Sequence, residues 1–134
     1  RLTGSVVFGD ARGSKYLTAL PLVSTLRKSV SFSHIASNET SFTGVAVLNP
    51  GGVGATVAIE LFDSGGKLTG STTQVIAAGH RSSRLLTEYF PGLVAKDGTP
   101  AYFKVTADRE VACFAVFGSN SLSVLSAIPA QPVP

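Results

Sequence analysis

Short runs in which every second residue is apolar recur along this chain, and they constrain its fold more than any other feature. In Thr56–Leu61, Val57, Ile59 and Leu61 point one way while Thr56 and Glu60 point the other. Tyr102–Thr106 repeats the pattern with Phe103 and Val105 inward. A period of two is the mark of a half-buried strand, because successive Cβ atoms leave a strand on opposite faces. Gly4–Phe8, Leu17–Val23, Val30–Ile35, Phe42–Leu48, Ser71–Ala77, Glu110–Phe117 and Leu122–Ile128 read as further strands. The punctuation agrees. Asn49-Pro50-Gly51-Gly52 stops one strand, and Asp63-Ser64-Gly65-Gly66, Ala107-Asp108-Arg109 and Gly118-Ser119-Asn120-Ser121 read as hairpin turns. The expected fold is all-β, an immunoglobulin-like β-sandwich of about seven to nine strands with one short crossover helix.

Two segments depart from simple alternation. Ser82–Phe90 reads as the helix: a Ser can cap its start, Leu86 and Phe90 share a face, and Pro91-Gly92 ends it. Glu110–Phe117 is apolar on both faces, with Ala112, Phe114 and Val116 on one and Val111, Cys113, Ala115 and Phe117 on the other. A strand of that kind is covered on both sides. One cover is the opposing sheet. The other is the helix, the N-terminal segment, or a second copy of the protein.

Composition narrows the class. Of 134 residues, 44% are hydrophobic and 14% charged, against a usual charged share of about 25%. Disorder needs the reverse balance. The net charge of +3 is spread along the chain rather than gathered on one segment, so a nucleic-acid footprint is not expected. No apolar run approaches the ~20 residues of a membrane helix, so membrane insertion is not expected either. The chain contains no Met, and the expectation is a processed product or a piece of a longer chain. Cys113 is the only cysteine and sits among apolar neighbours, so it reads as a buried small hydrophobe rather than a reactive thiol.

The two ends of the chain echo each other. Val6-Val7-Phe8-Gly9-Asp10 with Leu17-Thr18-Ala19-Leu20-Pro21 matches Ala115-Val116-Phe117-Gly118-Ser119 with Leu125-Ser126-Ala127-Ile128-Pro129. The separation is the size of a domain, not of a solenoid repeat. The division read from this is an N-terminal hairpin over 1–28, standing as the end of a preceding repeat, a β-sandwich module over 29–129, and a Pro-rich tail or linker over 130–134. Two hairpins of one type cannot both fill the final position of one sandwich. The first therefore adds to a sheet edge, packs outside Glu110–Phe117, or reaches into a neighbour as a homodimer or hairpin swap.

A resemblance supports this division. Phe32-Ser33-His34-Ile35-Ala36, Phe42-Thr43-Gly44-Val45-Ala46-Val47-Leu48-Asn49-Pro50, Leu61-Phe62-Asp63-Ser64-Gly65-Gly66-Lys67 and Leu86-Thr87-Glu88-Tyr89-Phe90-Pro91-Gly92 resemble, in that order, motifs of β-sandwich repeat modules in large secreted proteins of soil bacteria, broadly immunoglobulin- or fibronectin-III-like. The resemblance spans about Phe32 to Pro129 and rests on turns and a cap. It implies a secreted or cell-surface location with other domains of the same protein as partners. It carries over no catalytic residue.

No constellation for chemistry stands out. His34 and His80 are the only histidines, and nothing in their spacing joins them to acids as metal ligands. There is no Gly-x-Ser-x-Gly elbow. No catalytic residue, metal or cofactor is therefore expected. The best candidate site is His80, Arg81, Ser82, Ser83 and Arg84, an anion-binding group if these residues open a helix, since free N–H donors and Arg attract anions. The expected function is a non-catalytic structural or adhesive repeat module. The alternative is a ligand-binding module for polysaccharide or a small anion near residues 80–84. Against a sugar platform stand the absence of Trp and the wide spacing of Tyr16, Tyr89 and Tyr102.

Overall fold

The computed structural model describes residues 25–94, 99–121 and 123–133, together with the backbone of Ser5–Gly9 and Leu17–Pro21. The described part is mostly β with almost no helix. In chain order the strands are β1 (Ser5–Gly9), β2 (Leu17–Pro21), β3 (Arg27–Phe32), β4 (Ser41–Leu48), β5 (Ala55–Phe62), β6 (Leu68–Ile76) and β7 (Arg81–Leu85). A single helical turn, α1 (Leu86–Tyr89), follows. Then come β8 (Tyr102–Ser119), β9 (Leu125–Ile128) and β10 (Ala130–Pro132). β1 and β2 form a hairpin of their own, and the other eight strands form one antiparallel sheet.

The long strand β8 organises that sheet. Its first half lies between β3 and β5, with β10 outside β3 and β6 outside β5. Its second half lies between β4 and β9, with β7 outside β4. The sheet thus has two wings that share β8. Between Arg27↔Val111 and Ser29↔Thr106, β3 advances two residues while β8 advances five. The surplus falls at Ala107–Glu110, where β8 passes from one wing to the other. Extra residues bend a strand and raise its twist, which is how a chain turns a corner between sheet regions. The chain crosses a second time at Pro129, between β9 on β8 and β10 on β3. Proline suits that break, because it cannot donate to a ladder.

Both wings feed one core. Val30 and Phe32 of β3, Val57, Ile59 and Leu61 of β5, and Phe103 and Val105 of β8 come from the first wing. Val45 and Val47 of β4, Val111, Cys113 and Ala115 of β8, and Ile128 of β9 come from the second. Phe32 and Phe103 are fully buried and stack with ring centroids 4.9 Å apart. Burying one such ring is worth about 1.5–3 kcal/mol.

Turns follow the chemistry of their residues. Asp63 Oδ1 accepts from the N–H groups of Gly65 and Lys67, both at 2.9 Å, and Gly66 takes φ +86°. This closes the expected β5–β6 hairpin. Asn49 is fully buried at the end of β4. Its Nδ2 donates to Val53 O (2.8 Å) and Ile76 O (3.0 Å), and its Oδ1 accepts from Gly51 N (3.1 Å). One amide thereby ties the loop after β4 to the end of β6.

Three expectations change. Ala107-Asp108-Arg109 is not a hairpin turn but lies inside β8, where Asp108 Oδ1 accepts from Thr56 N at 2.9 Å. A bulge uses the same residue types as a turn, so the two look alike in sequence. The helix expected over Ser82–Phe90 is a strand as far as Leu85 and one turn thereafter. The open edge of β4 captures Arg81–Leu85 as a ladder, and tertiary pairing outweighs the weak helix preference of two serines. Ala130–Pro132, read as the start of a linker, is an edge strand on β3.

Candidate functional site

The five residues singled out for an anion do not converge. His80 lies in the turn before β7, where its N–H donates to Ala77 O and its carbonyl accepts from Asn49 N, both at 3.0 Å. From Arg81 to Leu85 the strand alternates. Ser82 and Arg84 face α1: Ser82 Oγ lies 2.9 Å from the Tyr89 hydroxyl and donates to Gln74 Oε1 at 3.2 Å, while the Arg84 guanidinium stands 5.9 Å from the Tyr89 ring centroid. Gln74 Nε2 in turn donates to the Tyr89 hydroxyl at 3.2 Å. Arg81, Ser83 and Leu85 take the other face and pair across β4 with Leu48, Ala46 and Gly44.

At the helical turn one N–H is taken by the chain's own carboxylate. That N–H, of Leu85, donates to Glu88 Oε2 at 2.7 Å. This is the carboxylate half of a capping box. Ser82 is engaged with Gln74 and Tyr89 and caps nothing. These two partners were not foreseen, because Gln74 sits in an edge strand whose contact with α1 has no signature in sequence spacing.

The other candidate groups are equally occupied. Tyr102 stacks on Phe62 with centroids 5.1 Å apart, and Lys104 Nζ lies 5.0 Å from the Phe62 centroid. Tyr89 is held by the polar cluster just described. Both tyrosines are half-buried, and Tyr16 lies outside the described residues. His34 is exposed and meets the Phe117 ring edge-on at 4.7 Å. Cys113 is buried, and burial pushes its thiol up to about 12. Among the described residues no three His, Cys, Asp or Glu side chains come together to hold a metal ion. No helix among them is long and apolar enough to cross a membrane.

The most distinctive surface is the outer face of the second wing. There Phe42, Gly44 and Ala46 of β4, Phe114 and Val116 of β8, and Ser83 and Leu85 of β7 line an open, apolar groove of about 290 Å³. Phe114 is 39% exposed. The sequence pointed to this strand as apolar on both faces. The face bearing Ala112, Phe114 and Val116 proves to be the outer one.

Compared with known proteins, the chain matches no protein-family model, no curated protein and no solved structure.

Proposed function

We propose that this chain is a non-catalytic structural or adhesive repeat module of a secreted or cell-surface protein, and that its two wings are the layers of a broadly immunoglobulin-like β-sandwich. The observation that carries the repeat reading is the pairing of the two echoed hairpins. In β1–β2, Gly9 faces Leu17, Phe8 faces Thr18, Val7 faces Ala19 and Val6 faces Leu20. In β8–β9, Gly118 faces Leu125, Phe117 faces Ser126, Val116 faces Ala127 and Ala115 faces Ile128. Each residue pairs with the counterpart of its partner's echo. Seven residues separate Gly9 from Leu17 and six separate Gly118 from Leu125. Loop length therefore does not impose the common register, which follows from the side-chain pattern.

A sandwich layering is supported by the single core that both wings feed. A structural role is supported by how the polar side chains are used: Asn49, Asp63, Asp108 and Glu88 each hold a turn, a bulge or a cap, and Ser82 ties β7 to Gln74 and Tyr89. The resemblance to repeat modules of large secreted bacterial proteins points the same way, with neighbouring domains of one protein as partners.

Protease shaving of intact cells tests the location. Fragments of this chain released before cytoplasmic markers appear are the expected outcome. Its recovery only after lysis overturns the surface reading. Sedimentation with insoluble cellulose, chitin and xylan tests the competing role, and binding to any of them would favour the polysaccharide reading.

A further inference from the structure

We infer that the open edge of β1 is the docking position for a β4-type strand supplied by another copy of this module lying upstream in the same protein. This rests on the repeat reading and names its partner. The edge of β8 away from β9 is filled by β4, with Phe42 facing Gly118, Thr43 facing Phe117, Gly44 facing Val116 and Val45 facing Ala115. β1 is the counterpart of that stretch in both sequence and register. Among the described residues it pairs with β2 alone. The position that β4 fills in one hairpin is therefore open in the other.

Orientation agrees. β2, the counterpart of β9, is the strand of the hairpin that lies beside β9, while β1 makes no comparable approach to the other described elements. An edge with a row of unpaired N–H and C=O groups is a template for another strand.

The register of β4 on β8, and the glycine at the end of each leading strand, describe the kind of strand that fits. A Cβ on Gly118 would collide with the Val124 carbonyl oxygen, and would stand 3.1 Å from the Phe42 ring and 3.2 Å from Leu125 Cδ1. Glycine at 118 is required first by the hairpin's own Val124 carbonyl, and it also leaves room for the β4 aromatic ring across the hairpin end. The echo keeps glycine there, as Gly9. The occupant is a strand with an aromatic residue facing Gly9 and a small residue facing Val7, as Phe42 and Gly44 face Gly118 and Val116. The arrangement makes each terminal hairpin a bridge: it completes one module and lies against the edge of the next.

The test adds residues 29–109 ahead of Arg1 of the complete chain, so that the β1–β2 hairpin follows them as Glu110–Pro129 follows them in the original. Amide hydrogen exchange is then followed across the fusion. Val6–Gly9 should exchange at least about a hundredfold more slowly than in the 134-residue chain, and the added segment should be protected. Unchanged exchange at Val6–Gly9, or an added segment that stays labile, overturns the proposal. Should the fusion aggregate, a synthetic peptide of the Thr40–Asn49 sequence is added to the complete chain at millimolar concentration. Slowed exchange confined to Val6–Gly9 supports docking, and no change overturns it. The surface location is judged separately by cell shaving, so a failure here and a failure there are distinguishable.

Discussion

The two halves of β8 are one continuous strand, yet they solve different problems. In the first half Phe103, Val105 and Ala107 are buried, and Lys104 and Thr106 turn a polar face outward. In the second half Val111, Cys113 and Ala115 are buried as well, but the residues between and after them are Ala112, Phe114 and Val116, with Ala112 buried, Val116 half-buried and Phe114 exposed. The inward pattern continues across the Ala107–Glu110 bulge without changing parity. What changes is the outer face, from one suited to water to one suited to contact. An apolar outer face is therefore not a requirement of this core.

The inner face carries the stability, so the largest effect is expected there. Phe103→Ala removes a fully buried ring stacked on Phe32 and should cost about 3–5 kcal/mol. Urea unfolding of the complete chain measures this. A cost below about 1 kcal/mol would mean that the two halves are not equivalent inside.

The seam between the wings comes next. Asn49→Ala leaves Gly51 N–H and the carbonyls of Val53 and Ile76 without their partner. Unmade hydrogen bonds at a buried site place the cost at about 2–3 kcal/mol. Asn49→Asp restores only the acceptor and should recover little. Full recovery by Asp would show that the two donated bonds contribute nothing.

Much of this was legible in the sequence, and the errors share a cause. Alternation marks β5 and the first half of β8, because a half-buried strand must alternate, whereas Glu110–Phe117 reads as a strand apolar on both faces. The Asp63–Gly66 hairpin was legible because an Asx turn and a positive φ demand those residues. The corner at Ala107–Glu110 was mistaken for a turn, since both need residues that leave a ladder. Ser82–Leu85 reads as helix because its strand partner, β4, lies far away in the chain and local sequence carries no trace of it. The residues of the candidate site lie on β7 and in the turn before it, so they do not gather at a helix start. The Gln74–Ser82–Tyr89 cluster was invisible for the same reason. The doubly apolar strand was read correctly as unusual, but sequence could not say which face was outer.

Cys113 sharpens the comparison through pH. Its thiol rises from 9.0 to about 12 on burial in the second half of β8, so the folded state holds a proton that the unfolded state releases. The sign follows: the associated stability is fully present below pH 9 and is lost as pH rises toward 12. The slope is about 1.4 kcal/mol per pH unit within that window. Cys113→Ala should remove this slope, as read from urea midpoints at pH 8 to 11. An aromatic disulfide reagent at pH 8 should label the thiol only on unfolding. Rapid labelling of the native chain would show that the inner face is open there.

The smallest effect on folding, and the most informative about the outer face, is expected from Phe114→Lys. Phe114 stands 39% exposed beside Val116 and Leu85, so only part of its transfer energy is lost by replacing it. A lysine there copies what Lys104 does in the first half. The unfolding free energy should fall by about 1–2 kcal/mol, less than at Phe103. Sedimentation equilibrium of the complete chain and of the variant then separates two uses of the groove. If copies of the chain cover it in solution, the complete chain associates with rising concentration and Phe114→Lys stays monomeric. If the groove serves no contact between copies, both run as monomers at every concentration, and the apolar outer face must be explained by a partner of another kind. A large loss of stability in the variant would break the comparison itself, because Phe114 would then be supporting the core from outside.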